Sequence, residues 1–135
     1  MILLENGVLR LEYDPATDIL QVRYPDLNSF LLSEIKHSLR IMADTIRNYD
    51  VRKLLLDASN TAIDVSEDEN RQLTIELASL LANTRLLKVA RVQPFDAKKE
   101  LRAQENIEAA RRAGLLPYEV GTFTNRMEAI HWLKN

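Results

Sequence analysis

The sequence has no cysteine, only three glycines and no long apolar run, and each shortage excludes a class of protein. Without cysteine, the chain forms no disulfide, no thiolate metal site and no cysteine nucleophile. Gly7, Gly114 and Gly121 are too scattered for either glycine-rich loop that cradles nucleotide phosphates. No apolar stretch approaches the ~18 residues of a membrane span, and no basic leader with a longer apolar segment follows Met1. These shortages favour a cytoplasmic protein without a membrane span.

The composition is that of one ordinary globular domain. The chain has 135 residues, of which 46% are hydrophobic and 28% charged, and this predicts a single domain over residues 1–135. Its 18 basic and 20 acidic residues give a net charge of −2, so no broad positive field attracts nucleic acid. We therefore expect no nucleic-acid partner and no cofactor.

The first quarter of the chain has the alternation of antiparallel strands. Asn6-Gly7 predicts a two-residue turn with positive φ at both positions, which joins Ile2–Glu5 to a second strand at residues 8–13. A third strand, in which apolar and polar residues alternate, begins near Leu20. These segments predict a short β-meander.

After a loop at residues 25–32, with a short extended piece at Phe30 and Leu31, helices and strands alternate. The expected helix caps are Ser33, Ser66, Asp96 and Asn125. Apolar strands are expected at residues 54–56, 86–92 and 118–123, between these helices. The order β-β-β-α-β-α-β-α-β-α predicts an α/β fold in which the antiparallel meander runs into a mixed, mostly parallel sheet with about four helices.

Candidate binding residues follow the predicted parallel strands, because ligands of open α/β sheets bind outside the carboxyl ends of the strands. These candidates are Asp57, Ser59, Asn60, Gln93, Phe95 and Phe123. They would form a polar rim around an apolar wall that holds a small ligand. The alternative is that Asp57 and Ser59 only satisfy backbone donors of their loop. The same two residues are the ones to test for an unrecognised enzymatic activity.

Ser66 is a possible phosphoacceptor at a helix N-terminus, where the helix dipole stabilises added negative charge. The alternative is a purely structural role, because Ser66 and Glu69 have the spacing of a capping box and the neighbouring acids would repel a phosphate. The acids have no EF-hand spacing, and His37 and His131 form no metal-binding pair, so no metal site is expected.

A family resemblance rests on the order of several segments. They are the N-terminal meander, Lys53-Leu54-Leu55-Leu56-Asp57, the helix opened by Ser66-Glu67-Asp68, the strand ending Val89-Ala90-Arg91-Val92, and the closing Phe123…Glu128-Ala129-Ile130-His131-Trp132-Leu133. In this order the chain resembles the small bacterial proteins of the STAS and SpoIIAA-like group. The resemblance implies a mixed sheet with the helices largely on one side, close in design to the lipid-carrying CRAL-TRIO domains.

For function, the resemblance implies two directions. Anti-sigma-factor antagonists of the group bind a kinase-like partner and are switched by phosphorylation of a serine that corresponds to Ser66. The usual Asp-Ser-x-Gly-Leu-like stretch is replaced here by Asp64-Val65-Ser66-Glu67-Asp68. The SpoIIAA-like branch implies instead a small apolar ligand.

We therefore expect a non-enzymatic regulatory or scaffolding domain that acts through protein–protein contacts, as a homodimer or with another protein. Phe30, Leu31 and Leu32 are candidates for its exposed apolar patch. The alternative function is a carrier or sensor of a small apolar ligand bound at the strand carboxyl ends.

Overall fold

Eight strands occur in the computed structural model, which describes residues 1–135. They are β1 (Ile2–Glu5), β2 (Arg10–Asp14), β3 (Ile19–Arg23), β4 (Leu27–Asn28), β5 (Lys53–Asp57), β6 (Ile63–Asp64), β7 (Lys88–Val92) and β8 (Glu119–Phe123). Six of them form one sheet in the order β1-β2-β3-β5-β7-β8, while β4 and β6 form a separate parallel pair. The first two pairings of the large sheet are antiparallel and the other three are parallel. The predicted α/β layout is confirmed.

Four α-helices accompany the sheet: α1 (Leu32–Asn48), α2 (Glu67–Ala82), α3 (Ala97–Arg112) and α4 (Arg126–Lys134). Three of the predicted caps are confirmed, because the side chains of Ser66, Asp96 and Asn125 each accept a hydrogen bond from a backbone N–H in the first helical turn. None of the four helices has both the length and the apolar character needed to cross a bilayer.

The entry into α1 differs from the sequence prediction. Ser33 is not a cap, since α1 already includes it and continues from a single 3-10 turn at Ser29–Leu31. The side chain of Asn28 accepts the backbone N–H of Phe30 and so caps that turn. The extended piece predicted at Phe30 and Leu31 is also wrong, because a polar cap two residues earlier makes the chain helical there.

The first hairpin forms, but its turn is not the predicted one. Neither Asn6 nor Gly7 has a positive φ. The side-chain oxygen of Asn6 accepts hydrogen bonds from the backbone N–H groups of Val8, at 2.7 Å, and Leu9, at 2.8 Å. This Asx-type turn leaves four residues between the strands and needs no left-handed conformation.

Strand β5 divides the core between the two faces of the sheet, because successive side chains of a strand point in opposite directions. Leu54 and Leu56 belong to a cluster of 19 buried residues that includes the inner faces of α1 and α2. Leu55 belongs to a cluster of six that includes Ala129 and Leu133 of α4. Helices α1 and α2 therefore cover one face of the sheet, and α4 covers part of the other.

Candidate functional site

Asp57, at the end of β5, is held by its own loop and by α4. One carboxylate oxygen accepts the Ser59 backbone N–H at 3.0 Å and the Ser59 hydroxyl at 2.6 Å, and the other accepts Arg126 Nη2 at 3.3 Å. Burial by itself would raise the pKa of Asp57, but the bonds from Ser59 and the Arg126 guanidinium outweigh it and leave the pKa below its ordinary value. Asp57 thus accepts a backbone donor of its own loop, whereas the Ser59 hydroxyl donates to Asp57.

The other predicted binding residues do not converge on one pocket. Asn60 is exposed, and the Phe95 side chain is 81% exposed. The backbone N–H of Gln93 donates to the carbonyl of Phe123, whose ring packs against Trp132 with centroids 5.5 Å apart. Phe123 thus packs on the side of the sheet that carries α4. That these residues contact a bound ligand stays a prediction.

Ser66 forms the complete capping box that the sequence predicts. Its hydroxyl accepts the Glu69 backbone N–H at 3.1 Å, and a Glu69 carboxylate oxygen accepts the Ser66 N–H at 3.0 Å. The same carboxylate oxygen accepts the Ser29 hydroxyl at 3.1 Å. The bond from the Ser66 N–H is the main cause that holds the pKa of Glu69 below its ordinary value. The role of Ser66 as a phosphoacceptor stays a prediction.

A cavity of about 130 Å³ lies between the sheet, α2 and α3. Fifteen of its 21 lining residues are hydrophobic, so its wall is predominantly apolar. They include Leu56, Val89, Leu77, Leu81, Ala103 and Ile107. Ala103 and Ile107 are half-buried, so solvent reaches part of this wall. None of the six predicted binding residues lines this cavity.

The cavity exists because α3 packs mainly on α2 and carries small side chains above the sheet. Of the α3 residues, Asn106 and Ala110 are the two that are buried. Ala103 and Ala110 line the cavity together with Ile107, and two alanines supply little volume to fill it. A well-packed core has few voids larger than a water molecule, so this space is unusual for a structural core.

Three polar lining residues lie toward the carboxyl ends of the strands, whereas Asn70 and Thr74 are on α2 and Tyr118 directly precedes β8. Tyr24 follows β3, Thr61 follows β5, and Lys99 lies in the first turn of α3. The Thr61 hydroxyl donates to the carbonyl of Tyr24 at 3.0 Å, and Lys99 Nζ donates to the carbonyl of Thr61 at 3.5 Å. Burial raises the pKa of Tyr24 to about 12, although the nearby guanidinium of Arg91 opposes this shift. The Tyr24 hydroxyl is therefore a protonated donor at neutral pH.

Arg91 is the second cation in the lining, and its charge is already balanced. Its guanidinium donates to both carboxylate oxygens of Glu100, at 2.9 and 3.3 Å, and to the Thr122 hydroxyl at 3.1 Å. The two charged side chains are only 11% and 13% exposed. This bidentate pair connects β7 to α3 beside the cavity.

Sequence reasoning missed Tyr24, Arg91 and Lys99, although one signal was present. Arg91 is two residues from Val89, so it must point to the same sheet face as that buried side chain. A charged residue on a buried strand face requires a partner or a ligand. No sequence pattern predicts the cavity under α3, because the cavity depends on how α3 packs over the sheet.

We compared the chain with protein-family models, curated proteins and solved structures, and found no match in any of the three.

Proposed function

We propose that this protein is a non-enzymatic regulatory domain of the cytoplasm that binds a small apolar ligand and acts through protein contacts. The cavity beneath α3 is the observation that carries the ligand-binding part. Its lining is mostly hydrophobic and has a few polar groups, which is the composition of small-molecule sites. It extends along the sheet from Tyr118, which precedes β8, to Leu56 and Thr61 at and after the end of β5, and so reaches the strand carboxyl ends, where open α/β sheets bind their ligands.

The size of the cavity indicates the size of the ligand. An apolar cavity of ~150 Å³ engineered into another protein stays dry and binds benzene. At about 130 Å³, the cavity under α3 has room for an apolar group close to one benzene ring. The lining contains no carboxylate and no histidine, the commonest general bases, and this supports binding rather than catalysis.

The protein-contact part of the proposal rests on the segment before α1. The Phe30 side chain is 95% exposed and Leu31 is 44% exposed, and both belong to the 3-10 turn that Asn28 caps. An aromatic side chain that is almost fully exposed has a large apolar area to bury against a partner. We propose a second copy of this chain or another protein as that partner.

The STAS and SpoIIAA-like assignment belongs to the same proposal. The meander, the parallel strands that follow and the placement of α1 and α2 on one face agree with the layout that the resemblance implies. A carrier or sensor role for a small apolar ligand is one of the two directions that this resemblance offers.

The ligand-binding part is tested with toluene as a neutral probe. Thermal unfolding with and without toluene should show a higher Tm with the probe, because a ligand that binds only the folded state stabilises it. Ala103→Leu, which fills the cavity, should abolish this shift. Ala97→Leu places the same side chain at an exposed position of α3 and should keep it. A wild-type Tm that does not respond to toluene, or an equal response in Ala103→Leu, contradicts the proposal.

The protein-contact part is tested by light scattering at high micromolar concentration. Wild-type protein should have the mass of a dimer, and Phe30→Ser should shift the equilibrium to the monomer. Phe95→Ser is the matched control, because Phe95 is also exposed and lies outside the segment. A monomeric wild-type protein contradicts self-association, and equal effects of both variants contradict the role of Phe30.

A further inference from the structure

All the charged residues that line the cavity under α3 are cationic. Arg91 and Lys99 line the cavity, while no aspartate or glutamate does. The Arg91 charge is balanced by Glu100 through a bidentate contact. The local excess of positive charge therefore resides on Lys99.

Lys99 forms no ion pair. Its ammonium has one acceptor, the carbonyl of Thr61 at 3.5 Å, which is a long contact for a charged donor. Glu100 binds Arg91, and Asp96, which accepts the backbone N–H groups of the first turn, lies close enough to Lys99 for a charge interaction but forms no ion-pair contact with its ammonium. A half-buried ammonium with one long hydrogen bond has capacity for a further acceptor.

Tyr24 supplies a second donor among the lining residues. Its hydroxyl forms no hydrogen bond with another side chain. Thr61 connects Lys99 to the Tyr24 backbone, because its hydroxyl donates to the Tyr24 carbonyl and its own carbonyl accepts from Lys99 Nζ. A neutral phenol and an ammonium that both belong to the lining of an apolar cavity complement an oxygen acceptor with negative charge.

We infer that the ligand of this cavity is a small monocarboxylate with an apolar group of about one ring in size, its carboxylate at Lys99 and Tyr24 and its apolar part beneath α3. One unpaired cation matches one negative charge, and a doubly charged head group would leave a charge without a partner. This inference rests on the proposed ligand-binding function and adds the chemical class of the ligand.

The test uses three probes of similar shape and different charge: phenylacetate, phenylacetamide and phenethylamine. Isothermal titration at neutral pH should show phenylacetate binding about tenfold more tightly than the amide, since a half-buried charge-assisted contact discriminates at this level, and phenethylamine binding weakest. The affinity for phenylacetate should fall as salt is added, and the affinity for the amide should not.

Two variants assign the preference to one side chain. Lys99→Met keeps the apolar stem and should reduce the affinity for phenylacetate to that for the amide. Lys98→Met removes the same charge from the neighbouring, exposed position of α3 and should keep the preference. Equal losses in both variants would show a general surface attraction and overturn the inference.

The possible failures are distinguishable. If all three probes bind wild-type protein with equal affinity, the carboxylate inference is overturned and the proposed apolar-ligand function stands. If none of the three binds and toluene leaves Tm unchanged, the proposed function itself has failed.

Discussion

The Arg91–Glu100 pair is the contact whose removal tests the packing of α3 most directly. Glu100→Gln leaves the Arg91 guanidinium almost buried without its counter-charge. Breaking a fully buried pair costs ~3–5 kcal/mol. Arg91 retains the Thr122 hydroxyl at 3.1 Å and some access to solvent, so we expect a loss of ~2–3 kcal/mol for this pair.

The measurement is urea unfolding followed by circular dichroism, with Glu108→Gln as the control. Glu108 forms its ion pairs on the exposed surface of the same helix, and such pairs contribute ~0–1 kcal/mol. The m value in urea is ~1–3 kcal/mol per molar for small proteins, so the midpoint of Glu100→Gln should fall by about 1 M. The midpoint of Glu108→Gln should change much less.

The double variant Arg91→Met/Glu100→Met completes the test. It removes both charges and leaves apolar side chains, and we expect a stability within ~1 kcal/mol of wild type because the desolvation cost of the pair disappears as well. If Glu100→Gln is no more harmful than Glu108→Gln, or if the double variant is as unstable as the single one, the pair is not the desolvated connection described above.

Three further predictions concern stability. Asn106→Leu should stabilise the protein by ~1 kcal/mol, because the Asn106 amide nitrogen is buried without a hydrogen-bond partner; a lower Tm would refute this. Asp57→Asn should cost ~1 kcal/mol at pH 7 through the lost contact with Arg126. Since the pKa of Asp57 is lowered on folding, this difference from wild type should persist above about pH 4 and shrink as the pH falls further, and a pH series of urea midpoints measures it. Gly121→Ala should destabilise by ~1–2 kcal/mol, because the new Cβ would lie 2.8 Å from the Phe123 ring; an unchanged urea midpoint would contradict this.

The features that the sequence predicts well are the ones set by neighbouring residues. The caps at Ser66, Asp96 and Asn125 follow from side chains that bond the backbone within three residues, and all three form. The turn at Asn6 failed because the side chain of this asparagine offers the backbone an alternative to a positive φ. Local chemistry thus fixed the elements and left the details of their connections open.

The position of the cavity could not be predicted, because it is a tertiary property. The cavity reaches the strand carboxyl ends that the rule named, but none of the six predicted side chains lines it. Phe123 and Val120 are three residues apart on β8 and therefore point to opposite faces, and it is Val120 that lines the cavity. The strand alternation contained that distinction, whereas the distance between α3 and the sheet did not appear in any local pattern.

The short length of helix α4 determines which part of this protein unfolds first. It has nine residues, fewer than the ~12–15 at which an isolated helix becomes marginally stable in water, so it is helical only while it is docked. Its detachment would uncover Leu55 and Ala90 at the centre of the sheet without disturbing the larger core beneath α1 and α2. Amide hydrogen exchange should therefore detect α4 as the first cooperative unit to unfold. The partly unfolded species would expose an apolar strip of the sheet, which favours aggregation.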